Sequence, residues 1–344
     1  MKKGLWIALA LVLVLLAALR VAGDSGFWRR YLAAISGSGA EAAAGLVEPR
    51  LALPGTATAV PRASAEAEFI APEALQLVAD AARRQGAQGL LVHRHGHRVF
   101  EYFADGRSGG SEVAGGELSA ALFALAAGAL VDTRRVAPDA AVAAIRAAAR
   151  PGESWRNPWS AAAAHRFKLA APPALLVQDM DGDLATTISH RVWLPLGAGN
   201  AWLWGTGDSL LRLDCCAVAR LEDWMRLGDL LLMQGNYHGE RIVSPDWVRY
   251  LLAADAQGQR HPVWLGEQQA WTGDEPPAAR EVFWFDLGND LRLWLVPRRG
   301  LAVLNWAGAG DPRDTLIPNI ILRGLLDQAP AAGGAELNDM VPGH

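Results

Sequence analysis

The stretch from Gly115 to Val131 is apolar on every side after Ser119. A surface helix keeps a polar face, so this pattern predicts a helix buried in a domain core. Gly115 and Gly116 precede it, and Asp132 closes it. The amide groups of a first helical turn have no partner within the helix, and the helix dipole favours negative charge there, so such a start suits a nucleophile. The first turn offers Glu117, Ser119 and Ala120.

Shorter patterns predict the elements around this helix. A first domain helix is expected over Pro72 to Gly86, with Leu75, Leu77, Val78 and Ala81 on its apolar face. The further elements are a hairpin over Gly89 to Phe103, a helix from near Leu184 that ends before Pro195, a helix from about Arg220 to Met233, a helix start at Ser244-Pro245-Asp246, a strand over Leu291 to Val296 and a closing helix over Ile317 to Leu326.

The N-terminus has the pattern of an export segment. Lys2 and Lys3 precede an uncharged stretch from Leu5 to Leu19. We interpret residues 1–23 as an uncleaved anchor in the inner membrane, with the following domain in the periplasm, and a cleaved signal peptide is the alternative. Residues 24–71, rich in Ala, Gly, Ser and Pro from Ile35 onward, are interpreted as a linker, 72–327 as the domain and 328–344 as a disordered tail.

Composition narrows the classes of partner. The chain has 344 residues, of which 51% are hydrophobic, and its net charge of −4 gives no reason to expect a nucleic acid. The two cysteines, Cys215 and Cys216, are neighbours, and we interpret them as buried packing residues. No cofactor is indicated.

Three short motifs resemble functional sites but fit loops better. His93, His95 and His97 form an HxHxH pattern that could bind a metal, yet His95-Gly96 suits a hairpin turn. The GxSxG match around Ser108 is separated from the next helix, unlike a nucleophile elbow. The acidic run from Asp179 to Asp183 lacks the glycine position of a calcium loop. No metal site is predicted.

The run from Leu184 to Leu252 resembles the class C β-lactamase and penicillin-binding-protein-like serine hydrolases, a group that also contains esterases. The matching pieces are RVWLPLG with NAW, CCAVARLEDWMRLGDLLLMQG and GERIVSPDWV. With the flanking helices, the resemblance extends from about Pro72 to Asp327. It implies an α/β fold of the α+β type, in which helices flank an antiparallel sheet and a mostly helical region lies between about Val136 and Arg260.

The same resemblance implies catalytic elements that this sequence lacks. When the family's helix glycine is set on Gly128, the nucleophilic serine position holds Glu117 and the lysine position holds Ala120. Ser119 is no substitute, because Leu122 lies three residues after it. The Tyr-x-Asn positions hold Asn157 and Trp159, and the Lys-Thr-Gly or His-x-Gly strand is replaced by the stretch from Trp284 to Asn289.

These losses predict a non-catalytic binding or scaffolding protein. Its vacated cleft would bind a peptide, a glycan or an envelope protein. The residues expected to line the cleft are Glu117, Ser119, Ala120, Asn157, Trp159 and Asn289. The alternatives are an active hydrolase of esters, amides or β-lactams with rebuilt catalytic groups, and a purely structural envelope component.

Overall fold

The computed structural model of the protein describes residues 11–15, 28, 50–142, 184–206, 210–211, 217–252, 282–288, 291–307 and 315–326. Its helices are α1 Pro72–Arg84, α2 Glu117–Asp132, α3 Leu184–Ile188, α4 Leu221–Leu232, α5 Pro245–Leu252 and α6 Leu316–Arg323. A π-helical turn, Ser189–Trp193, continues α3. The strands are β1 Arg50–Leu53, β2 Gly89–Arg94, β3 His97–Phe103, β4 Glu112–Ala114, β5 Ala201–Thr206, β6 Leu210–Leu211, β7 Val218–Arg220, β8 Asn236–Tyr237, β9 Glu240–Arg241, β10 Phe283–Gly288, β11 Leu291–Val296 and β12 Leu301–Trp306.

The larger sheet is antiparallel throughout and has the strand order β10-β11-β12-β2-β3. Every residue of β11, β12 and β2 is buried, as expected for strands covered on both faces. The register pairs Gly89 with Trp306 and Arg94 with Leu301. The turn between β2 and β3 therefore lies at the same end of the sheet as the turn between β11 and β12.

Two hydrophobic cores lie on opposite faces of this sheet. Leu91 of β2 packs with α2 and α4, whereas its neighbours Leu90 and Val92 pack with α1 and α6. The predicted core helix is confirmed as α2, in which twelve residues are buried. Gly128 of α2 has a packing role, because a Cβ atom there would lie 2.1 Å from Cδ1 of Trp247 in α5.

The predicted hairpin is confirmed as β2 and β3, and the other predicted helices and the strand β11 form close to their expected bounds. The predicted apolar face of α1 is wrong at one position. Leu77 is 56% exposed, and the buried face is completed by Ala74, Ala79 and Ala82. A helix buries positions three and four residues apart, and Leu77 is two residues from Leu75.

A second sheet was not anticipated. It has the order β1-β5-β7-β4, with β6 paired to β5. Strand β1 pairs along its whole length with β5, and Leu53, Val60 and Ile70 are buried. Residues 50–71 therefore belong to the fold, and the predicted domain start at Pro72 is corrected. The described part of the region expected to be mostly helical also contains strands β5 to β9.

The predicted membrane helix finds no support in the structure. Within the described residues, which at this end are 11–15 and Trp28, no helix is both long enough and apolar enough to cross a membrane. The predicted disordered tail, 328–344, lies outside the described residues, as do Cys215, Cys216 and the acidic run 179–183.

Candidate functional site

The start of helix α2 is shaped by two glycines. The amide of Gly115 donates a hydrogen bond of 2.7 Å to the carbonyl oxygen of Ala217. A Cβ atom on Gly115 would lie 2.3 Å from the indole ring of Trp224, so only glycine fits. Gly116 has a φ of +47°, a left-handed conformation that residues with a side chain rarely adopt. This backbone places the next residues in the first turn of α2.

The side chains of that first turn divide into two groups. Glu117 and Ala120 are half-buried, whereas Ser119 is only 6% exposed. The hydroxyl oxygen of Ser119 accepts a hydrogen bond of 3.0 Å from the amide of Ala217, just before β7. Ser119 therefore joins α2 to the second sheet. A buried hydroxyl with this structural role is poorly placed to attack a substrate.

Strand β10, at the edge of the larger sheet, packs beside α2. Its register places the Asp286 position opposite Arg292 of β11. The structure places Glu117, Ser119 and Ala120 together in the first turn of α2. Asn157, Trp159 and Asn289 lie outside the described residues.

The three histidines of the HxHxH motif do not share a face. His93 is fully buried beneath α4, and its Nδ1 lies 2.7 Å from Oδ2 of Asp229. His95 occupies the hairpin turn, and His97 begins β3; their Nδ1 atoms lie 2.7 Å and 2.9 Å from the two carboxylate oxygens of Glu68. Within the described ranges, no group of three or more His, Cys, Asp and Glu residues could bind a metal.

A polar network beneath α4 escaped the sequence analysis. Asp223, Arg226 and Asp229 are buried at three-residue spacing on one face of this helix. Arg226 donates to the carbonyl oxygens of Leu196, at 3.1 Å, and Thr58. The sequence contained a signal for this network. The three charged residues are three positions apart, so they share one face of the helix, and they lie between apolar positions.

This network shifts the pKa values of neighbouring side chains. Burial, reinforced by the negative charge of Asp229, raises the pKa of Tyr237 to about 12. Burial also lowers the pKa of His238, and the Asp229 charge opposes that shift. Both effects follow from the cost of placing charge in a poorly solvated environment.

Comparisons with known proteins identify the fold of the chain. No protein-family model matches the sequence, and no curated protein matches it. Among solved structures, a protein from Bacillus anthracis described as a 6-aminohexanoate-dimer hydrolase matches at 14% identity, with a TM-score of 0.50 over 80% of this chain and 89% of that chain. SurE matches at 14% identity, with a TM-score of 0.51 over 78% of this chain and 80% of that chain.

A penicillin-binding protein homologue from Caulobacter crescentus matches at 15% identity, with a TM-score of 0.48 over 74% of this chain and 99% of that chain. The chain has the serine β-lactamase-like fold. At these identities the likeness is one of architecture. What this chain can do chemically therefore depends on its own residues.

Proposed function

We propose that this chain is a non-catalytic binding protein that uses the vacated cleft of a serine hydrolase fold. The observation that carries the proposal is the first turn of α2, where Glu117 and Ala120 occupy the positions that the resemblance assigns to the nucleophile and its base. A methyl group cannot accept a proton. In a Ser-His-Asp catalytic unit, loss of the nucleophile alone lowers turnover by about 10⁶.

The lysine content supports the same proposal without any alignment. The only lysines are Lys2, Lys3 and Lys168, and the residue three before Lys168 is His165. No Ser-x-x-Lys pair therefore exists in the sequence. The hydroxyl nearest to the missing nucleophile, that of Ser119, is buried and accepts a hydrogen bond from the backbone.

The proposed ligand is a peptide, a glycan or a protein of the cell envelope, bound where the half-buried Glu117 and Ala120 face the cleft. We also propose that the chain is tethered to the inner membrane and faces the periplasm. The basic Lys2 and Lys3, followed by the uncharged stretch from Leu5 to Leu19, support that location. A C-terminal alkaline phosphatase fusion should be active if this topology is correct.

The first test is covalent labelling. We expect the full-length protein to keep its unmodified mass after incubation with a fluorophosphonate and, separately, with benzylpenicillin. A cooperative thermal transition of the same sample would show that it is folded. A stoichiometric adduct on any serine would contradict the proposal and establish the rival, a hydrolase with rebuilt catalytic groups.

The second test asks whether the cleft is the working surface. Soluble peptidoglycan fragments, which contain both peptide and glycan, are a suitable probe. Ala120→Trp places a large side chain at the first turn of α2, where it would occupy the proposed cleft, and should abolish retention of the fragments. Glu112→Gln, at an exposed position of β4, is the matched control and should leave it unchanged. Equal retention by both variants would place any binding outside the cleft.

A further inference from the structure

A pocket lies at the C-terminal end of α4, away from the start of α2. Its volume is about 450 Å³, and its lining includes His95, Met233, Asn236, Arg298 and Gly300. These residues come from the β2–β3 turn, the region after α4 and the β11–β12 turn. Trp224, which contacts Gly115, precedes Leu232 of the pocket by eight residues of α4, a distance of about 12 Å along the helix axis.

A buried carboxylate orients the imidazole of His95. Glu68 has a side chain that is 9% exposed, and its Oε2 lies 2.7 Å from Nδ1 of His95, whose own side chain is 50% exposed. A carboxylate accepts hydrogen bonds and cannot donate them, so Nδ1 carries the proton. In the neutral imidazole the other ring nitrogen, Nε2, is then a lone-pair acceptor, and among the described residues none bonds to it.

The ring edge that carries Nε2 lies over Gly300. A Cβ atom at Gly300 would stand 2.3 Å from Cδ2 and 2.8 Å from Nε2 of His95. The amide of His95 donates a hydrogen bond of 2.8 Å to the carbonyl oxygen of Gly300, which fixes the two turns together. Only glycine at this position lets the imidazole pack against the β11–β12 turn, where the half-exposed His95 lines the pocket.

Arginine side chains lie at the pocket and next to it. Arg298 lines it, and Arg299 is exposed beside it. Arg94 donates to the carbonyl oxygens of Phe69, at 3.1 Å, and Arg299, at 3.3 Å. Such an arrangement favours anionic ligands.

We propose that this pocket binds a small organic anion, a carboxylate or a phosphate ester that also carries a hydroxyl group. Arg298 receives the anionic group, because a guanidinium matches the geometry of carboxylate and phosphate oxygens. Nε2 of His95 accepts a hydrogen bond from the hydroxyl group. Glu68 is a positioning residue that holds the imidazole in the required tautomer. The site is independent of the function proposed for the cleft.

Calorimetric titration of the full-length protein tests the ligand class. The probes are glycolate, a hydroxy carboxylate, and glycerol 3-phosphate, a hydroxy phosphate ester, with glycerol as the neutral control. We expect saturable binding of at least one anion and none of glycerol. The anion that binds with the higher affinity shows whether the pocket prefers a carboxylate or a phosphate ester. Absence of saturable binding by both anions would overturn the proposal.

Two variants locate the binding. Arg298→Gln removes the charge, and His95→Asn removes the imidazole while keeping a residue that tolerates the φ of +49° found there. Each should weaken binding at least tenfold. Arg84→Gln and His190→Asn, at exposed positions outside the pocket lining, are the matched controls and should bind as the parent does. Unchanged binding in both pocket variants would also overturn the proposal.

Nitrogen-15 NMR of the histidine rings tests the role of Glu68. In the unliganded protein, His95 should show a protonated Nδ1 and an unprotonated Nε2. Glu68→Gln should mix the two tautomers and weaken anion binding, which a purely structural role for Glu68 would not predict. A protonated Nε2 in the parent at neutral pH would contradict the proposed acceptor.

Discussion

Tyr237 is a phenol in a buried and negatively charged environment. It is 5% exposed, its hydroxyl accepts a long hydrogen bond of 3.4 Å from Arg226, and Asp229 lies nearby. Burial and the Asp229 charge both disfavour a phenolate. Its pKa is raised from 10.0 to about 12 in the folded protein. The network beneath α4 should therefore make stability depend on pH in the alkaline range.

We expect the free energy of unfolding to fall as the pH rises from 10 to 12. In this window the unfolded phenol loses its proton while the folded one keeps it, so the unfolded state binds fewer protons. A two-unit difference corresponds to about 2–3 kcal/mol, fully present below pH 10 and lost above pH 12. The Tyr237→Phe variant should lack this component.

Urea unfolding at pH 8 and pH 11.5 measures the effect. At pH 8, Tyr237→Phe should cost about 1 kcal/mol, the net value of one hydrogen bond. At pH 11.5 the parent should have lost more stability than the variant. Tyr102→Phe in β3 reports the general cost of removing a hydroxyl. Parallel pH profiles for the parent and Tyr237→Phe would refute the expectation.

At the residue scale, the sequence located some groups of the candidate site and missed others. The two glycines and the apolar run defined the start of α2, so Glu117, Ser119 and Ala120 could be placed in one turn from local pattern alone. Glu68 could not be assigned to His95, because the contact spans 27 positions and joins a segment without periodicity to a turn. Such contacts follow from the tertiary fold.

At the scale of elements, a buried polar pair joins β2 to α4. His93 and Asp229 are both 0% exposed, and their contact of 2.7 Å spans 136 positions. Among the described residues, Nε2 of His93 and Oδ1 of Asp229 have no hydrogen-bond partner. Each side chain therefore depends on the other for the polar contact that offsets its burial.

Removing either partner alone should be costly. We expect His93→Leu and Asp229→Leu each to lower the free energy of unfolding by about 3–5 kcal/mol, since each leaves a buried polar group without its partner. The double variant should lose much less than the sum, because no unpaired group remains. Urea unfolding of the four proteins gives the coupling energy. Simple additivity would show that the pair acts independently.

Elements with a strong local pattern were predictable, and those held by distant pairing were not. The hairpin β2–β3 has two apolar strand cores, Leu90 to Val92 and Val99 to Tyr102, on either side of a turn at His95-Gly96, and α2 is a continuous apolar run. Strand β1 is a four-residue segment, RLAL, whose partner β5 lies about 150 positions away along the chain. The segments on either side of β1 are rich in small residues and prolines, which is typical of a linker. Only the pairing with β5 therefore identifies β1 as a strand.

At the scale of the whole molecule, residues 50–71 hold the two sheets and the polar network together. Strand β1 extends the second sheet through β5, Thr58 receives hydrogen bonds from Arg226, and Glu68 contacts the hairpin turn. These contacts reach three separate parts of the fold. The segment is therefore an integral part of the domain.

A fragment that begins at Arg50 should fold, and one that begins at Pro72 should not. The shorter fragment loses Leu53, Val60 and Ile70, which are 0%, 4% and 0% exposed. Burial of each such side chain contributes about 1.5–3 kcal/mol, so the loss is about 5–9 kcal/mol. This is comparable to the total stability of a typical domain, about 5–15 kcal/mol. Thermal unfolding followed by circular dichroism should give a cooperative transition for the longer fragment alone, and equal midpoints would show that the segment is dispensable.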